Sequence, residues 1–215
     1  SRDRLRHSVC AMPSGESNII QGLNYSATGL SESEDQEYVI DSPAPHGIAI
    51  NSDGTELYTA SNTADWLYKI NTITHSITGV VMDLEVNNPP HLITQRLKPI
   101  QCIFVENRLF VSCSSGTWYN PYTGEQSIIP GSLQMWDPNT MTLTDTIDLG
   151  EHTAPWHIKE SPTDNVVYVV LGGDNLYDTE GLACVRYEND ELSLDWLVNN
   201  SSFNTLHGVD VSSNG

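Results

Sequence analysis

The chain has 215 residues, 38% hydrophobic and only 17% charged, with a formal net charge of −19 from 28 acidic and 9 basic side chains. Its apolar content suffices for one buried core, and its polar balance rests on Ser, Thr, Asn and Gly, so the expectation is a turn-rich all-β protein rather than a bundle of long amphipathic helices. So few cations exclude a nucleic-acid surface, whose affinity depends on Lys and Arg neutralising phosphates, and the acidic, Lys-poor balance suits a protein working outside the cytoplasm, secreted, periplasmic or at the cell surface.

In chain order, the stretch RHSVCAMPSGESNII opens with a short apolar strand and lacks a basic-then-apolar leader pattern. No apolar run anywhere approaches the roughly 18 residues that would span a bilayer as a helix. Asn24-Tyr25-Ser26, like Asn199-Asn200-Ser201-Ser202 later, matches the short N-glycosylation acceptor pattern. The acidic group Glu32, Glu34, Asp35 and Glu37 lacks the alternating ligands and central Gly of a calcium loop and reads as a solvated segment.

From Pro45 to Gly79 the order is clearer. An apolar strand, PHGIAI, is followed by a turn at Ser52-Asp53-Gly54, a second strand around Leu57-Tyr58-Thr59, and a third around Trp66 to Ile70. Asn71-Thr72 then turns the chain into a fourth, outer strand. A second copy opens at Pro99 as PIQCIFVENRLFVSCSSG, with a shorter first turn, and closes as LQMWDPNTMTLTDTIDLG. Between these halves lies a long connection, residues 114–132. Its Trp118, Tyr119 and Tyr122 form either an exposed aromatic surface for a protein or a glycan, or a compact loop that buries its own rings.

A third copy opens at Pro155, PWHIKESPTDNVVYVVLGGDN, with Val166 to Val170 as second strand, and LHGVDVSSNG at the end reads as one more opening strand. The corresponding positions His7, His46, Ile100, His157 and His207 lie 39, 54, 57 and 50 residues apart. Four short strands repeated at roughly 40 to 50 residues is the signature of a β-propeller, whose four-stranded antiparallel blades pack face to face because one blade cannot bury both its faces. The expectation is a single domain over residues 1–215 with about four complete blades plus the first strand of another. It would form part of a larger ring of about seven blades, incomplete at one or both ends.

PHGIAINSDGTELYTAS and MWDPNTMTLTDTIDLG resemble the YVTN-type β-propeller repeats, which read as a P-H-G strand, an S-P-D-G turn, an L-Y-V strand and an I-D-x-x-T-N hairpin. The resemblance covers most of residues 43–215. Nitrous-oxide-reductase and cytochrome-d1 propellers are more distant analogues. The resemblance implies the fold, while propellers host binding, scaffolding and catalysis alike.

His7, His46, His157 and His207 each stand near the start of an innermost strand, where strands converge on the channel. His91, in NPPHLIT, precedes the unit whose corresponding residue is Ile100. By analogy with the copper site of nitrous oxide reductases, such a ring of imidazoles would hold copper, zinc or iron, or contact a haem. The alternative is that the His of P-H-G packs and hydrogen-bonds beside the next blade. Cys10, Cys102, Cys113 and Cys184 form no C-x-x-C or C-x-x-C-H pattern, leaving buried thiols or one or two disulfides.

No G-x-S-x-G elbow or other nucleophilic set is present, and lactonase-type acidic ligands are not found at the strand starts. The leading expectation is therefore a non-catalytic scaffold that presents its loops to a protein partner or a glycan, within a larger complex. The alternative is a redox or metal-binding propeller.

Overall fold

The computed structural model describes residues 8–11, 18–26, 29–40, 45–61, 66–81, 93–95, 98–119, 123–172, 179–199, 206 and 208–213. These form strands joined by turns, with no helix among them long and apolar enough to cross a membrane.

Strands β1 (Ser8–Ala11), β2 (Ile19–Ser26) and β3 (Gly29–Val39) make a three-stranded sheet. Strands β4 (Pro45–Ile50), β5 (Glu56–Ser61), β6 (Trp66–Asn71) and β7 (Ile77–Val81) make a four-stranded one. The next segments are β8 (Ile93–Gln95), β9 (Lys98–Val105), β10 (Arg108–Ser114), β11 (Gly116–Tyr119), β12 (Gln126–Ile129), β13 (Gly131–Asp137) and β14 (Thr142–Gly150). Of these, β9, β10, β13 and β14 form a second four-stranded sheet, and β8, β11 and β12 a small separate one. The last sheet contains β15 (Pro155–Glu160), β16 (Val166–Gly172), β17 (Glu180–Glu188) and β18 (Glu191–Asn199). Among the described residues every pairing is antiparallel, between strands that follow each other except for β10 with β13 and β8 with β11.

Burial explains why these runs are strands. The second and third strands of each four-stranded sheet are buried nearly throughout, whereas the outer β7 and β14 alternate between half-buried and exposed. A strand buried on both faces needs an apolar or β-branched residue at nearly every position, and VVYVV and LFVSC supply it; an outer strand needs only alternation, as in TLTDTID.

Three apolar layers lie between successive sheets. Ile20, Tyr38 and Ile40 meet Leu57, Tyr68 and Ile70. Tyr58, Ala60 and Leu67 meet Cys102, Leu109, Val111 and Trp136. Phe110, Leu133 and Met135 meet Val167, Val169, Ala183 and Val185. Alternation does the sorting: Leu109 and Val111 face one neighbour and Phe110 the other. At about 1.5–3 kcal/mol for each large apolar side chain buried, these layers dominate the stacking.

The turns use local chemistry. The Asn71 carboxamide oxygen accepts from the N–H groups of Ile73 and Thr74, and Asp137 does the same for Asn139 while taking the Thr140 hydroxyl. In both, the fifth residue, His75 or Met141, takes a positive φ. This is the Asn/Asp-x-x-Thr hairpin visible in the sequence.

Two expectations find no confirmation among the described residues. The first unit, read as complete, contributes three strands among the described residues. The final segment 208–213, read as an opening strand, carries no strand pairing there. A strand is defined by its partner, and no described neighbour pairs with this one.

Candidate functional site

The inner strands β4, β9 and β15 begin alike. Pro45, Pro99 and Pro155 pair with Ser61, Cys113 and Leu171 in the adjoining strands. One residue is then skipped in the register, Gly47, Ile100 and Trp156 respectively, and pairing resumes. Such bulges re-aim the residues beside them. As a result His46, Gln101 and His157 share one level, opposite Ala60, Ser112 and Val170. The counterpart of the histidines in this unit is thus Gln101, not Ile100, because the bulge falls one residue earlier than in β4.

At this level His46 and Gln101 each bridge to the next inner strand, and His157 to the segment 208–213. The His46 Nδ1–H donates to the Ile100 carbonyl at 2.9 Å. Gln101 Oε1 accepts from the Ile158 N–H at 2.7 Å. His157 Nδ1 accepts from the Val209 N–H at 3.3 Å. The two imidazoles therefore use opposite faces of their chemistry: His46 donates through Nδ1, whereas His157 needs a bare Nδ1 and so, when neutral, carries its proton on Nε2. Burial, with the Lys159 ammonium, holds the His157 imidazole below its ordinary value, against a smaller opposing pull from Asp210.

Gly47 explains the third letter of P-H-G. Its φ is +44°, and a Cβ there would lie 2.4 Å from the Gln101 Cα and 2.8 Å from the Ile100 carbonyl oxygen. Backbone meets backbone between β4 and β9, with the Cys102 thiol donating to the Tyr58 carbonyl at 3.4 Å just behind. Burial pushes that thiol up to about 12, so it stays protonated and unreactive.

Of the residues read as metal ligands, His7, His91 and His207 lie outside the described residues. The His46 ring approaches the Trp156 ring, with centroids 6.4 Å apart. Among the described residues no group of three or more His, Cys, Asp or Glu side chains is placed to hold a metal ion. Cys102, Cys113 and Cys184 are buried.

The connection 114–132 is not a loop. Gly116–Tyr119 and Gln126–Ile129 pair as a hairpin, and β8 adds on the other side, so β11 is the middle strand of the small sheet. Thr-Trp-Tyr and Ser-Ile-Ile carry the β propensity that builds it. Trp118 stands opposite Ser127 and Thr94, Tyr119 opposite Gln126 and Ile93; their side chains, and Tyr122 altogether, lie outside the described residues. At its base, Ile129 packs on the layer between the β4–β7 sheet and the next.

Sequence reading missed a polar clasp between the same two sheets. Lys69 Nζ sits 2.7 Å from Glu56 Oε1, donates to the Pro138 carbonyl at 3.0 Å and lies over the Tyr58 ring. The Tyr58 hydroxyl donates to the same Glu56 at 2.6 Å. The available signal was a Lys in the middle of the otherwise apolar WLYKIN, one strand from a Glu.

No protein-family model matches the chain, and no curated protein matches it. Solved structures do. The WD40 domain of Toxoplasma gondii coronin is similar over 90% of this chain at 11% identity, with a TM-score of 0.55 and 45% of that chain covered. The Chaetomium thermophilum Sqt1 structure covers 86% of this chain and 42% of its own at 11% identity and a TM-score of 0.57. Dihydro-heme d1 dehydrogenase NirN covers 93% and 36% at 9% identity and a TM-score of 0.55. The chain thus spans less than half the length of these structures, and at such identities the likeness concerns fold alone. The fold is a β-propeller, built from antiparallel four-stranded sheets stacked through apolar layers.

Proposed function

We propose that the chain is part of a non-catalytic, extracytoplasmic propeller of the YVTN repeat type that binds a protein or glycan partner. The observation that carries this reading is the sheet of β8, β11 and β12, which interrupts the repeat between β10 and β13 and places Trp118 and Tyr119 on its central strand. Repeat positions are committed to holding neighbouring sheets together; an insertion is free to be individual, and aromatic residues are favoured where surfaces meet partners. The net charge of −19 supports a location without acidic nucleic-acid partners.

The deciding experiment is cross-linking and capture with wild-type chain and with Trp118→Ala/Tyr119→Ala, alongside a glycan array. Loss of a specific partner or glycan at unchanged melting temperature supports the reading. Unchanged capture, or a drop in melting temperature, overturns it, the latter because it makes those rings part of the core.

A second reading, a metal or haem site at the inner-strand histidines, is favoured by His46, whose Nδ1–H···O=C bond leaves the Nε2 lone pair for a metal, as in many metal-binding histidines. The bond that His157 accepts favours the first reading, since both its nitrogens are then engaged or protonated. Elemental analysis of untagged protein separates the two: stoichiometric copper, zinc or iron lost in His46→Ala/His157→Ala establishes the metal reading.

A further inference from the structure

We propose that Trp156, Gly172 and Glu180 form a binding site for an organic cation, an alkylammonium or guanidinium group of the kind a lysine or arginine side chain presents. Trp156 is the residue skipped in the register at the start of β15, and its side chain is left 39% exposed. The indole is nevertheless held in place. A Cβ on Gly172 would overlap its Cδ1 and Nε1 atoms, so this edge of the ring fills the space that any side chain at 172 would need. Gly172 has no positive φ, and its N–H makes an ordinary bond to the Ala154 carbonyl at 2.7 Å. The backbone itself therefore does not call for glycine there; the indole does.

The register brings a carboxylate to the same place. Glu180, at the start of β17, is the partner of Gly172. Residues directly opposite in an antiparallel pair project to one face with Cβ positions roughly 4.5–5.5 Å apart, so the stem of Glu180 stands beside the indole edge. Glu180 is only 6% exposed, yet among the described residues no hydrogen bond or ion pair reaches its carboxylate. The Lys and Arg side chains of this sheet are committed elsewhere, Lys159 to Asp210 and Arg186 to Asp195. Buried charges are paired as a rule, because desolvation penalises a lone ion heavily, and a bare one marks a place for a counter-charge.

The pairing of an aromatic ring with one carboxylate selects the ligand class. A metal ion asks for several ligating side chains, and no group of three or more forms among the described residues. A neutral sugar would use the indole but leave the charge of Glu180 unanswered. An organic cation uses both: the carboxylate takes its charge and N–H donors, and the indole takes its apolar stem or its charged head. The net charge of −19 draws such cations toward the surface. The site uses β15, β16 and β17 and neither Trp118 nor Tyr119, so its failure would leave the reading of the β8, β11 and β12 sheet untouched.

The test follows the Trp156 indole N–H resonance by NMR, assigned by its loss in Trp156→Phe, while n-butylammonium, n-butylguanidinium and uncharged n-butanol are titrated in at constant ionic strength. At least one cation should shift the resonance saturably, and butanol should not. Glu180→Gln keeps the shape without the charge and should weaken binding by about tenfold or more, the scale of a charge-assisted contact. Without ligand, Glu180→Gln should melt at or above the wild-type temperature, because it removes an unpaired buried charge. Saturating cation should then raise the melting temperature of wild type and not of the variant. Blocked Gly-Lys-Gly and Gly-Arg-Gly peptides separate the sources within the proposal: tighter binding than the butyl compounds identifies a partner's side chain, weaker binding a free amine. No saturable shift with either cation, an equal response to butanol, Glu180→Gln binding like wild type, or a destabilised Glu180→Gln would each overturn the proposal.

Discussion

The junction between β4 and β9 and the junction between β15 and residues 208–213 share a plan and differ in commitment. At the first, Gly47 brings two backbones into contact, an apolar layer seals the space behind, and the Lys69–Glu56–Tyr58 clasp bridges the sheets further out. At the second, the described contacts include one hydrogen bond and one exposed ion pair, made to a segment with no strand pairing among the described residues. The same repeat position therefore bridges two paired inner strands at one junction and a sheet to the segment 208–213 at the other, and what packs behind it differs. Histidine appears at both, which is why its presence in P-H-G says little about chemistry.

The comparison breaks most visibly at Gly47. Gly47→Val places a branched side chain against the β9 backbone at a positive φ, and should cost about 3 kcal/mol or more, read as a lowered denaturant midpoint. The clasp comes next: Lys69→Met leaves Glu56 half-buried without its cation and should cost about 2 kcal/mol, less than a fully buried pair because Glu56 retains some solvent. Burial alone would raise the Glu56 carboxyl, but the bonds from Lys69 and Tyr58 outweigh it and hold the group below its ordinary value. That contribution is present above about pH 4.5 and is lost as pH falls through the folded value, so the penalty of Lys69→Met should shrink in acid melts. His46→Ala removes one bond to Ile100 and should cost about 1 kcal/mol. At the outer edge, Asp195→Ala removes a surface partner of Arg186 and should change stability by less than about 1 kcal/mol.

The blade was legible because its periodicity is written in burial. PHGIAI became β4, Leu57-Tyr58-Thr59 fell within β5, and Val166 to Val170 within β16, each where an apolar run met a turn signal. The excursion 114–132 was misread as a loop because Asn120, Pro121 and Gly124 punctuate it as loops are punctuated, while its partner β8 lies upstream of β9 and pairs from a distance that local pattern cannot report. Of the candidate site, the level of the histidines was legible to within one residue. A bulge shifts register silently, and Gln101 was hidden by it. The tautomers of His46 and His157 depend on whether a carbonyl or an N–H faces the ring, which no spacing encodes.

Gly47 also bears on how far such a chain can drift. Where two inner strands touch through peptide groups, the angle between successive sheets is set by atoms that every residue type carries. Side chains further out then have only to fill the wedge that this hinge point leaves. A curvature fixed in this way survives near-total turnover of the letters around it.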